Sequence, residues 1–304
     1  MTRAKLVALL LLLLAVSPTA HAAMQNGSFT TSDGVRLHYL EAGPPVGRSR
    51  TIVLVPGWTM PAWIFQAQIQ DFARAWHVVA LDPRSQGDSD IAPSGHEPFR
   101  RGRDIAELLA HIGGQPVVLL GWSLGVLDVL SYIHQFGDAQ VAGLILVDNS
   151  VGEDPPPAPE HLPSLSPAGR DHGHGRGRKG HAPPPVPRSV AMARFVRGMF
   201  RTQPSAYYLQ RLTEASLRTP PEAAYALLHY PVPRSFWREA IYSTRKPILY
   251  IVRPGLSGQA MNLQANHPDA ESVVLRDVGH AMFVDNPTTF DQLVEGFLRR
   301  RVWP

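Results

Sequence analysis

Residues 121–125 read Gly-Trp-Ser-Leu-Gly, a G-x-S-x-G pentapeptide set between the apolar run PVVLL (116–120) and the helix-like run LGVLDVLSYIHQF (124–136). A serine hydroxyl is a weak nucleophile until a base takes its proton and an orienting group holds that base. A sharp strand-to-helix turn meets part of the need. It exposes Oγ and points the N–H groups and positive end of the following helix toward the place where an oxyanion would form. The pentapeptide also occurs by chance, but the strand, turn and helix it requires are all predicted here. Ser123 is therefore the candidate nucleophile for acyl transfer, and a histidine and an acid must be sought elsewhere.

The elements that would position such a serine follow from hydrophobic patterning. VRLHYLEAG (35–43) alternates, whereas TIVLVPG (51–57), HVVALD (77–82), PVVLLG (116–121), AGLILVD (142–148) and KPILYIV (246–252) are continuous apolar runs. Continuous runs of this length fit strands buried on both faces, as in a parallel sheet. Helical spacing lies between them. Ile105, Leu108, Leu109 and Ile112 share a face that ends at Gly113, and Phe290, Leu293, Val294, Phe297 and Leu298 repeat the pattern ahead of Arg299 to Arg301. Those arginines sit where the negative end of a helix dipole favours them. Alternating strand and helix predicts an α/β fold with a mainly parallel, helix-flanked sheet.

The alternation breaks after residue 151 and resumes near 246. Residues 152–187 hold ten of the chain's 29 prolines and almost no large apolar residue between Leu165 and Val186. Such composition predicts a mobile loop. Its HGHGRGRKGH stretch, with His172, His174 and His181, could meet a metal or an anionic surface, but glycine-rich spacing fixes no ligand geometry and a solvated loop is the expectation. Residues 188–245 carry helical patches and are expected to form a cap inserted into a core of 23–151 and 246–304. At the N-terminus, Arg3 and Lys5 precede an apolar run (6–16) and the triplet Ala20-His21-Ala22. Residues 1–22 thus predict a secretory signal peptide, hence an exported protein, periplasmic or secreted, with no stable membrane insertion after cleavage. There is no cysteine, so export brings no disulfide. The net charge of +4 falls to +2 without Arg3 and Lys5, too small a balance to argue for nucleic acid.

With these elements in order, residues 29–302 resemble the α/β-hydrolase family, which implies a sheet of the α/β-hydrolase type with an inserted helical cap. Where that family usually carries His-Gly-x after its third strand, this chain has Pro56-Gly57-Trp58. The resemblance implies an oxyanion hole made by the backbone N–H groups of Trp58 and Leu124, neither of which depends on a side chain. Asp82-Pro83-Arg84-Ser85-Gln86-Gly87-Asp88-Ser89 is similar to the family's D-x-R-G-x-G-x-S turn, with Ser85 in place of glycine. Asp82 and Arg84 are expected to hold that turn by hydrogen bonds. Gly279-His280 resembles the family's Gly-His ahead of the last helix, which makes His280 the expected general base. His38, His77, His96, His111, His134 and His229 fall within or beside predicted elements and are assigned to packing or surface.

The acid is less plain. Family members usually carry it just after the strand matching KPILYIV, yet PILYIVRPGLSGQA (247–260) contains none. Asp269 and Glu271 come too late, Asp285 is expected to cap or hold a loop, and Asp128 lies about 140° around the helix from Ser123. Some α/β-hydrolases, including a group of haloalkane dehalogenases, take their acid from the end of the preceding strand. That position is Asp148, the favoured acid; the competing reading is a cap for the following turn. The resemblance implies a serine hydrolase acting on a small-molecule acyl substrate without a cofactor or metal, most simply a carboxylic ester hydrolase. Acyl transfer or perhydrolysis on the same triad, and a non-catalytic ligand-binding homologue, are the alternatives. Trp58, Trp63, Phe65, Trp122, Tyr207 and Tyr208 could line an apolar pocket or belong to the core. Nothing in the sequence indicates oligomeric state.

Overall fold

The computed structural model describes residues 23–47, 49–153 and 186–304. The expected signal peptide (1–22) and residues 154–185 of the proline-rich stretch, including His172, His174 and His181, lie outside the described residues.

Among the described residues, eight strands form one sheet: β1 (Gln25–Thr30), β2 (Arg36–Ala42), β3 (Thr51–Val55), β4 (His77–Leu81), β5 (Val117–Trp122), β6 (Val141–Val147), β7 (Ile248–Val252) and β8 (Ala270–Val274). Their order is β1-β2-β4-β3-β5-β6-β7-β8. The first two strands pair antiparallel and β3 to β8 run parallel. Every residue of β3, β4, β5 and β7 is buried. That is the burial which continuous Val, Leu and Ile runs require when helices cover both faces. Side chains of each strand alternate between two cores. Val53, Val55, Leu119 and Leu146 join one, while Ile52, Leu54, Leu120 and Val147 join the other.

The helices are α1 (Gln66–Phe72), α2 (Pro98–Ile112), α3 (Leu124–Phe136), α4 (Arg188–Gly198), α5 (Ala206–Arg218), α6 (Pro221–Leu227), α7 (Arg234–Ser243), α8 (Ser257–Asn266), α9 (Met282–Asp285) and α10 (Pro287–Phe297). Among the described residues, no helix is long and apolar enough to cross a membrane. The segment expected to be a cap divides in two. Helices α4 to α6 reach over the carboxyl ends of the strands: the Trp58 indole donates to Ala224 O at 2.7 Å, Thr59 bonds Ser216 at 2.5 Å, and the Ala281 amide donates to Met199 O at 3.0 Å. Helix α7 instead joins the core. Phe236, Trp237, Ala240 and Ile241 are buried in the same cluster as α3, with the Phe236 ring 3.9 Å from that of His134.

Candidate active site

Ser123 occupies the single residue between β5 and α3, at φ 55° and ψ −121°. A non-glycine residue rarely adopts this backbone, and it persists only where surrounding contacts enforce it. Here the Ser123 amide donates to Val147 O at 2.9 Å, and Asn149 Nδ2 donates to Ser123 O at 2.8 Å. The crossing of strand and helix leaves no room for side chains. A Cβ on Gly125 would lie 2.2 Å from Val55 O, and one on Gly57 would lie 2.9 Å from the Ser123 Cβ. The Pro56-Gly57-Trp58 backbone therefore runs directly beside the serine side chain. Leu124 is the first residue of α3, so its N–H has no acceptor within the helix. These are the two backbone segments expected to donate to an oxyanion.

The three candidate side chains form one hydrogen-bonded chain. His280 Nε2 lies 2.8 Å from Ser123 Oγ, and His280 Nδ1 lies 2.6 Å from Asp148 Oδ2. Asp148 follows β6 directly, with φ 53° and only 1% of its side chain exposed. Burial alone would raise its carboxyl pKa, but hydrogen bonds from His280 and the Arg253 amide outweigh that and hold it below the ordinary carboxylate value. An ionised Asp148 can only accept, so Nδ1 carries the proton and Nε2 offers its lone pair to the serine hydroxyl. The tautomer follows from the acid.

The loop bearing His280 is fastened at several points. Trp122 Nε1 donates to His280 O at 2.9 Å, with the two rings 5.2 Å apart. Asp285 accepts from the amides of Gly279 at 2.5 Å, Arg201 at 2.9 Å and Thr202 at 3.1 Å. It holds loops together and does not bond the imidazole, in keeping with the loop role expected for it. Arg253 touches the acid twice: its amide donates to Asp148 Oδ1 at 3.0 Å and its Nε to Oδ2 at 2.5 Å. Sequence reasoning missed this arginine. Its signal was its place, as the first residue of the acid-free stretch after β7.

The other polar candidates sit in structural networks. Asp82 accepts from the amides of Ala62 at 2.5 Å and Asp88 at 2.9 Å and pairs with His38 at 2.7 Å. His38, Asp82 and Asp88 offer ligand atoms within 4.8 Å of one another, but Asp82 already uses its oxygens to fix the turn. Arg84 is fully buried and bonds Asp104 at 2.6 Å and Asp33 at 3.1 Å. Asp128 pairs with Arg101 at 3.1 Å, and burial pushes its carboxyl up to about 6. His77, His96 and His111 bond Pro44 O, Ser85 and the Tyr39 hydroxyl. His229 lines a surface cavity with His96 and Glu97. Of the aromatic candidates, Phe65 and Trp122 are fully buried, Tyr207 is exposed, and Trp63 packs on Tyr208. Trp58 helps to line an apolar cavity of about 450 Å³ with Met192, Phe195, Ala224, Tyr225 and Leu228.

Comparison with known proteins agrees with this architecture. The family model described as the Alpha/beta hydrolase family matches residues 52–293. A non-heme haloperoxidase from Rhodococcus erythropolis is 30% identical over 119 residues, covering 39% of this chain and 42% of that protein. A bifunctional esterase/perhydrolase from Acinetobacter calcoaceticus is 30% identical over 123 residues, covering 40% of this chain and 44% of that protein. The chain thus spans somewhat less than half the length of these relatives. Among solved structures, an esterase from Rhodococcus sp. ECU1013 superposes with a TM-score of 0.70 at 22% identity, covering 91% of this chain and 99% of that one. A bromoperoxidase from Bacillus anthracis does so with a TM-score of 0.69 at 16% identity, covering 90% and 100%. At such identities the superpositions speak for the fold alone. With a family model matching from β3 through most of α10, the chain belongs to the alpha/beta hydrolase family.

Proposed function

We propose that this chain is an exported serine hydrolase that cleaves carboxylic esters through Ser123, His280 and Asp148. The observation that carries the reading is the unbroken hydrogen-bond chain from Ser123 Oγ through the imidazole to Asp148. In the first half-reaction, Ser123 Oγ attacks the ester carbonyl carbon while Nε2 takes the hydroxyl proton. The carbonyl oxygen becomes an oxyanion, held by the amides of Trp58 and Leu124. Asp148 stabilises the imidazolium and keeps its orientation. As the tetrahedral adduct collapses, the bond to the alcohol oxygen breaks and Nε2 returns the proton to that oxygen. Water then adds to the acyl-serine with the same base, and collapse releases the acid and restores Ser123.

The cavity that Trp58 lines, next to the expected oxyanion segment, would suit an apolar substituent of the substrate. Apart from Arg188, whose guanidinium is held by the carbonyls of Leu217 and Thr219, its wall is hydrocarbon and aromatic, which favours an apolar group over a polar one. A second reading, acyl transfer to hydrogen peroxide on the same three residues, is favoured by the esterase/perhydrolase and haloperoxidase relatives. Labelling with a fluorophosphonate followed by peptide mass spectrometry tests the shared mechanism: the adduct is expected on Ser123, and its absence would overturn both readings. Ester panels with and without peroxide, scored for acid against peracid, then separate them. Export is read from residues 1–22, and N-terminal sequencing of the protein recovered from an extracytoplasmic fraction tests cleavage after Ala22.

A further inference from the structure

We propose that Arg253 is a positioning residue for the triad, clamping the Asp148 carboxylate toward His280 and setting the pH at which the base becomes active. The inference rests on the proposed role of Asp148. A buried carboxylate must fill its acceptor sites with donors, and among the described residues three donors reach this one, two of them from Arg253. They differ in kind. The backbone amide on Oδ1 belongs to the end of β7 and stays whatever the side chain is, whereas the guanidinium on Oδ2 comes from a side chain that is 42% exposed.

Arg253 Nε and His280 Nδ1 both bond Oδ2, at 2.5 and 2.6 Å. The guanidinium therefore competes for the electron density that would stabilise an imidazolium, and it disfavours a second positive charge beside it. Other groups around the base are committed elsewhere. On the His280 segment, Asp277 faces Arg201 at 3.5 Å and Asp285 is turned to backbone amides. From the elbow come Ser123 and the uncharged Trp122 ring. Beneath Asp148, the Tyr250 hydroxyl donates to Asn149 O, within the fields of Asp148 and Arg234. Arg253 is a cation that touches the acid directly.

The test compares kcat/KM against pH for wild type, Arg253→Gln and Arg253→Lys with one short acyl ester. Both nitrogens bond one oxygen, so the two charges lie within about 6 Å, and removing one at a solvent-like dielectric moves a titration by about half a pH unit. The acidic limb of Arg253→Gln is expected to move to higher pH by that amount, with a severalfold lower plateau kcat and unchanged KM. Arg253→Lys, which keeps the charge, is expected to retain the wild-type limb. A partly unfolded sample lowers the amplitude but leaves the limb where it is, so misfolding does not imitate the result. A Gln limb that coincides with wild type, or a Lys limb that moves as Gln does, would overturn the proposal. Asp148→Asn separates the two levels. If that variant keeps its activity, the triad reading fails; if it collapses while the Gln limb stays put, only the role of Arg253 fails.

Discussion

Replacing Asp148 by Asn alters one atom, and the surrounding donors determine how the new amide sits. Oδ1 faces the backbone N–H of Arg253 at 3.0 Å, and Oδ2 faces the Arg253 guanidinium and His280 Nδ1. The asparagine NH₂ must take one of these places. Set against the backbone amide, it would oppose a donor that cannot move. Set at the Oδ2 place, it opposes a half-exposed side chain that can swing into solvent and an imidazole that can change tautomer. The second arrangement costs less, and it turns His280 into the form with the proton on Nε2, aimed at Ser123. The base is then lost while the fold stays intact. Reversal of this tautomer in a serine protease lowers kcat about 10⁴-fold, equivalent to about 5.4 kcal/mol of barrier. A loss of that order is expected here, measured as kcat on a p-nitrophenyl ester at a pH above the acidic limb, with circular dichroism showing a native fold. A kcat within tenfold of wild type would refute both the tautomer argument and the assignment of the acid.

Four further outcomes follow from the same geometry. Ser123→Gly is expected to abolish turnover yet raise unfolding free energy by roughly 1 kcal/mol in denaturant titrations, because glycine accepts φ 55° without strain. Gly57→Ala brings a methyl to 2.9 Å from the Ser123 Cβ; kcat should fall at least tenfold and stability by about 1–3 kcal/mol, as overpacking costs, and wild-type kcat would contradict the close approach. Asp285→Ala removes the acceptor of three amides and should cost about 2–3 kcal/mol in chemical denaturation, whereas Asp285→Asn should recover part of it. Asp291 is buried, which pushes its carboxyl from 3.8 up to about 7. Between those values the folded chain holds a proton that the unfolded chain releases, so this group's contribution to stability declines as pH rises toward 7. Asp291→Asn should therefore melt above wild type at pH 8 and level with it near pH 4; an increment independent of pH would show that the carboxyl is not raised.

Much of the fold was legible because its central strands are buried on both faces and must be apolar throughout. TIVLV, HVVAL and ILYIV carry that requirement openly. The first strand did not, since QNGSFT lies at the sheet edge with mostly exposed residues and pairing supplies what composition lacks. The amphipathic spacing of helix α7 shows that one face is buried without showing that α3 is among what buries it. In the site, Ser123 and His280 stood out through local context that a few neighbouring residues define. Arg253 and Trp122 act on partners 105 and 158 positions away in the chain, and no local pattern encodes such a pairing.

The strand register accounts for how Asp148, at the end of β6, reaches His280. Strands β6 and β7 are parallel neighbours, with Val147 opposite Ile251, and the Asp148 amide donates to Ile251 O at 2.9 Å. In a parallel pair both strands end at the same edge of the sheet, about 4.8 Å apart. A carboxylate at either end is thus within side-chain reach of one imidazole, provided the backbone turns it the right way. Asp148 achieves this with φ 53°, a left-handed conformation that aspartate tolerates better than most residues. The backbone just after β7 contributes donors to this carboxylate, the Arg253 amide to Oδ1 and its guanidinium to Oδ2, the oxygen that His280 also bonds. An acid at residue 253 facing the buried Asp148 would bring two carboxylates together, and each would raise the pKa of the other. The Asp148 carboxylate and the arginine after β7 are therefore complementary, since a cation is a compatible neighbour there where a second acid would not be.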